Sequence, residues 1–144
     1  MGVLDDLLDS APSGVVRAIH WLLDQGAETT DLEPRHGMGF ALAEFALDGA
    51  TIRIVSDRDH WSLDARLAQQ PWLQLDLIHD VRTGEQAQWP QAPEGRHQPG
   101  QLPQGVEWVE ELPRALTWLR STPDAVEQVE AAGRERARRL FPRR

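Results

Sequence analysis

Within "IRIVSDRDHWSLDARL", residues 52–67, four polar groups able to do chemistry fall in eight positions: Asp57, Asp59, His60 and Asp64. Two carboxylates and an imidazole at that spacing could ligate a divalent cation, or act as an acid/base pair. The rest of the chain gives such a site little support. It has no His-Glu-x-x-His pair, no Asp-x-Asp-x-Asp-Gly calcium loop and no cysteine, so the usual ligand spacings are missing. Gly-x-Ser-x-Gly and Gly-Lys-Ser/Thr are absent too, which removes the common nucleophile elbow and phosphate loop. A turn holding two aspartates is commonplace, because Asp side chains bond nearby backbone N–H groups. The expectation is therefore a chain with no catalytic residue, no metal and no cofactor.

The elements that position these groups follow from hydrophobic pattern. Asp48-Gly49 lies between two apolar runs, the strongest short-range hairpin signal, since both residues tolerate positive φ. That turn sets Leu47 against Ala50, Phe45 against Ile52 and Ala43 against Ile54 on one apolar face. Glu44 then opposes Arg53 on the other. If residues 57–60 form a four-residue turn, Ile54 meets Leu63, Ile52 meets Ala65, Ala50 meets Leu67 and Arg53 meets Asp64. A one-residue slip would put Ile54 against Asp64 and destroy the apolar face. Asp64 thus has a structural task, bracketing Arg53 together with Glu44. Phe40, Leu42 and Val55 join them on the second face, and Trp61 is expected there as well, opposite Ser56.

Helices flank this meander. "SGVVRAIHWLLDQG" repeats apolar residues at helical spacing, with Ser13 as an expected cap and Gly26 as the left-handed terminator. A short turn through Leu4, Leu7 and Leu8 precedes it. After Pro71 a short extended entry leads into a helix over about 75–83. Residues 84–105 are rich in Pro and Gly without any period, an irregular excursion unusually long for a compact domain. "VEWVEELPRALTWLR" is helical in pattern, with Pro113 expected to kink it or begin a new turn. Thr122, Pro123 and Asp124 read as the cap and first turn of a last helix that reaches about Leu140. The fold class is α+β: an N-terminal helix, an antiparallel meander of at least three strands, and C-terminal helices packed on one sheet face. Residues 1–144 form a single domain.

Composition bears on partners. The 144 residues contain 23 acids and 15 basic residues, all of them arginine, for a net charge of −8. Positive charge gathers in the last fourteen residues, which hold six Arg and one Glu, so the remaining body is strongly acidic. Such a body repels nucleic-acid phosphates and attracts basic partners. No apolar run approaches the roughly 20 residues that cross a bilayer, and the first residues do not form a secretory signal. The expected setting is cytoplasmic, without membrane or nucleic acid. The six tryptophans divide between core packing (Trp21, Trp108, Trp118) and positions beside acids or the irregular segment (Trp61, Trp72, Trp89). Aromatic residues beside carboxylates are the composition of binding hot spots.

A helix, a short-loop meander containing "RIVSDRDHWSLDARL", then "PWLQLDLIHDVRTG" and a closing helix ending "RARRLF" resembles small actinobacterial immunity proteins encoded beside polymorphic toxins. The resemblance covers about residues 38–83 and the last helix. It implies a non-catalytic module that binds and neutralises a cognate toxin, with a basic toxin domain suiting an acidic body. The residues expected in or near the contact are Asp57, Asp59, Trp61, Trp72, Asp76, Glu107, Glu110 and Glu111, in a monomer or homodimer. Two other classes stay open: a secretion-chaperone-like homodimeric adaptor, and a small ligand-binding or enzymatic domain with a pocket near Arg53 and His60.

Overall fold

The computed structural model describes residues 3–36, 40–58, 60–84, 102–103 and 105–140. Two helices, α1 (Val3–Ser10) and α2 (Ser13–Asp24), precede strands β1 (Glu28–His36), β2 (Phe40–Leu47), β3 (Ala50–Asp57), β4 (His60–Leu67) and β5 (Leu73–Gln74). Helices α3 (Leu75–Thr83), α4 (Trp108–Ser121) and α5 (Ala125–Leu140) follow. The strands form one sheet in chain order, every neighbour antiparallel. This is the expected α+β meander, extended to five strands.

Turn chemistry sets the register. Asp48 and Gly49 have φ of 49° and 81°, the primed two-residue turn whose twist matches its strands. The pairs Phe45–Ile52, Ala43–Ile54 and Glu44–Arg53 follow. The next hairpin keeps the expected pairs Ile54–Leu63, Ile52–Ala65 and Arg53–Asp64, with the expected four-residue turn over 57–60. Asp57 pairs directly with His60, so only residues 58 and 59 connect the strands, and Arg58 takes φ 53°.

Alternation then sorts the side chains into two faces. Ala43, Phe45, Ile52, Ile54, Leu63 and Ala65 are buried on one face, against Leu7 of α1, Ile19 and Leu22 of α2, and Ile78, Leu112 and Val129 of α3, α4 and α5. All five helices thus contribute to a core on that side. Most residues of the other face are only half-buried, and Phe40 is exposed.

Several local expectations change. Strand β1 carries little alternation in sequence, and two register shifts, between Thr29 and Asp31 and between Glu33 and His36, explain why. Pro12, not Ser13, occupies the N-cap of α2, and its extended backbone starts the helix without a side-chain hydrogen bond. Gly26 does close that region with φ 88°. Helix α4 runs through Pro113, which removes one N–H within the second turn. Thr122 ends α4, and its carbonyl accepts the Ala125 N–H, so α5 begins after the Thr-Pro-Asp turn rather than in it. Among the described residues no helix is long and apolar enough to cross a membrane.

Candidate interaction surfaces

The residues expected at a partner contact separate into three environments. The first is buried. Asp76, in the first turn of α3, is 1% exposed and accepts from Arg136 of α5, whose other amino group donates to Gln74 Oε1 at 2.6 Å. Glu111 is likewise 1% exposed, and Arg82 clamps it through two bonds, Nε to Oε2 at 3.1 Å and Nη2 to Oε1 at 2.5 Å. Fully buried Asp80 lies 3.0 Å from His79 Nδ1 beside them. The Arg82–Glu111 pair ties α3 to α4, and the Arg136–Asp76 pair ties α3 to α5. Asp76 and Glu111 are therefore not contact residues, and Glu111 is not part of a solvated face. Adjacent Glu110 is exposed, as a turn of 100° per residue allows.

The second environment is a cleft on the helical side. Pro12, Gly14 and Val15 at the start of α2 face Leu102, Val106, Glu107 and Trp108 before and at the start of α4, with Trp61 of β4 between them. Its volume is about 280 Å³. Trp61 was expected on the second sheet face, but it pairs with Ser56, which shares the face of Ile54 and is itself fully buried. Alternation therefore carries Trp61 to the core side, where it packs half-buried against the core. Glu107, at the N-cap of α4, takes an ion pair from exposed Arg17. Its second oxygen lies 3.3 Å from where a Cβ on Gly14 would stand, so a side chain at that position would crowd the carboxylate. The structure thus brings Trp61 and Glu107 together and sets Trp108 beside them.

The third environment is the sheet face that no described helix covers. Phe40, Leu42 and Val55 lie together here, because Phe40 pairs with Asp57 and Leu42 with Val55. Exposed carboxylates border them: Asp57 at the hairpin end, and Glu28, Asp31 and Glu33 along β1. Arg53 sits between Glu44 and Asp64 in the ladder, as the register requires. It donates to Asp64 Oδ2 at 2.7 Å, whereas Glu44 accepts from Thr30 at 3.3 Å. Trp72 covers the same row. The guanidinium carbons of Arg53 and Arg66 each lie 4.3 Å from its indole centroid. They are thus no further apart than twice that distance, where two like charges repel by about 2 kcal/mol at an effective dielectric near 20. A cation over a Trp face recovers a comparable amount. The Nε atoms of both arginines are buried without a hydrogen-bond partner among the described residues.

His60 is exposed and pairs with Asp57, four residues along β3 from Arg53. That separation is about 13 Å, so the two do not converge on one pocket. Among the described residues no three His, Cys, Asp or Glu side chains gather as metal ligands. Asp59 and Trp89 lie outside the described residues, as does most of the 84–105 segment. The arginine–tryptophan cluster and the buried ion pairs were missed from sequence. Both need tertiary neighbours, and the only sequence signal is Arg66 facing the strand that follows Pro71. No family model, curated protein or solved structure matches the chain.

Proposed function

We propose that the protein is a non-catalytic binding module for a basic protein partner, acting in the manner of an immunity protein that neutralises a cognate toxin. The observation that carries this reading is the sheet face that no described helix covers, where exposed Phe40 and half-buried Leu42 and Val55 form an apolar strip bordered by exposed Asp57, Glu28, Asp31 and Glu33. An apolar centre supplies contact energy and the acidic border supplies steering, which together favour a cationic protein surface. Two copies of this face would oppose acids to acids, so the adaptor-homodimer reading is less favoured.

The contact expected from sequence shifts accordingly. Asp57 remains in it, whereas Trp61 and Glu107 belong to the cleft behind the sheet and Trp72 to the arginine cluster. Partner capture from the native host, then calorimetry on purified components at two salt concentrations, tests the assignment. Phe40→Ser and Asp57→Ala should each weaken binding by about 1–2 kcal/mol, and salt should weaken wild-type binding as screening shortens to about 8 Å. Unchanged affinity in both variants, with loss in Trp61→Ala or Glu107→Ala, would move the contact to the cleft. A partner that is not basic, or turnover of a small molecule by the purified chain, would end this reading.

A further inference from the structure

Arg66 stands apart from the other half-buried charges of this chain. Acids outnumber arginines, 23 to 15, yet Arg66 has neither a hydrogen bond nor an ion pair among the described residues; its one interaction is the Trp72 indole. Arg66 is half-buried and its Nε is covered without a hydrogen-bond partner among the described residues, a donor whose burial costs free energy, while its amino groups are open to a ligand. We propose that Arg66 and Arg53, held on Trp72, form a binding site for an oxyanion, a carboxylate or a phosphate group.

Three observations converge on that assignment. Both guanidinium groups are pinned by the same indole at 4.3 Å, so their side-chain entropy is spent before a ligand arrives. A guanidinium carries its N–H donors as a planar fork, which is the arrangement a planar or tetrahedral oxyanion accepts. Both Nε groups are covered, so the outer amino groups are the available donors. Of Arg53's, Nη2 is engaged by Asp64, while the Nη1 of Arg53 and both amino groups of Arg66 remain.

Asp64 and Glu44 share this row and offset the two positive charges. Selection therefore rests on donor geometry rather than on a net positive field. The shared chemistry has two possible sources, a free small oxyanion or a carboxylate side chain on a bound protein. The site does not depend on the protein-binding reading above.

The test is a titration of the isolated chain with sodium phosphate, and separately with N-acetyl-aspartate amide, followed by the ¹H–¹⁵N signals of arginine side chains and tryptophan indoles. Sodium chloride at matched ionic strength and pH serves as the control. Saturable shifts confined to Arg53, Arg66 and Trp72 are expected. They should vanish in Arg66→Gln and weaken in Arg66→Lys, which keeps charge but loses the fork. Tighter binding of phosphate points to a free oxyanion, and tighter binding of the aspartate derivative to a protein carboxylate. Shifts that never saturate, or that match chloride, overturn the proposal in the wild-type chain alone. Equal shifts in a folded Arg66→Gln variant do so as well.

Discussion

Glu110 and Glu111 show how much one residue of helical rotation decides. Side by side in sequence, one is exposed and the other is 1% exposed under a bidentate arginine. Removing one partner of a buried pair strands the other's charge, at about 3–5 kcal/mol, with the lower end fitting Arg82, which keeps some access to water. Glu111→Ala should therefore lower unfolding free energy by about 3 kcal/mol, while Glu110→Ala stays within about 0.5. Urea titrations of the two variants check this, and equal effects would show that Glu111 is not buried in solution. Asp76→Ala should resemble Glu111→Ala, since Arg136 would lose its carboxylate. None of these pairs could be read from the chain, because their spacings in sequence are 29 and 60 residues and no local period links them. Arg53, Glu44 and Asp64 were legible because strand pairing converts two turn positions into contacts.

At the level of the element, what the chain encodes plainly is whatever repeats every two or every 3.6 residues. The β2–β3–β4 register, helices α2 and α3 and the extended entry before α3 were readable on that ground. Strand β1 was not, since two register shifts break its alternation, and such irregularity together with acidic side chains suits an edge that must not pair with another chain. The β3–β4 turn over residues 57–60 was readable from the same apolar pairing, although Arg58 is a poor choice for the positive φ it adopts. Its φ of 53° carries a steric cost that Gly avoids. Arg58→Gly should raise stability by about 0.5–1 kcal/mol, and a decrease would mean that the Arg58 side chain contributes a favourable contact. In α5, Arg138 and Arg139 hold the Glu135 carboxyl below its ordinary pKa of 4.5. A depressed folded-state pKa means that this clamp is present above about pH 4.5 and is lost as pH falls through the lowered value. Amide exchange in the last turns of α5 should therefore quicken in Glu135→Gln at neutral pH and match wild type in strong acid.

For the molecule as a whole, the same charge distribution should produce salt effects of opposite sign on folding and on binding. A net charge of −8 makes the compact state repel itself, and added salt screens that repulsion. The ion pairs that salt would also weaken differ in exposure. Asp76–Arg136 and Glu111–Arg82 have carboxylates that are almost fully buried, where screening reaches poorly. Arg17–Glu107 and the Glu135 pairs are more open, and exposed pairs of this kind contribute little. Relief of repulsion should therefore prevail, and the melting temperature should rise between about 20 and 150 mM sodium chloride. Association with a basic partner should weaken over the same range, mainly through its rate, because steering acts at distances that salt screens. Calorimetric melting of the free chain and stopped-flow association, measured in the same buffers, provide the comparison. A melting temperature that falls with salt would mean that the exposed ion pairs outweigh self-repulsion. An association rate indifferent to salt would mean that the acids along β1 and at Asp57 do not face the partner.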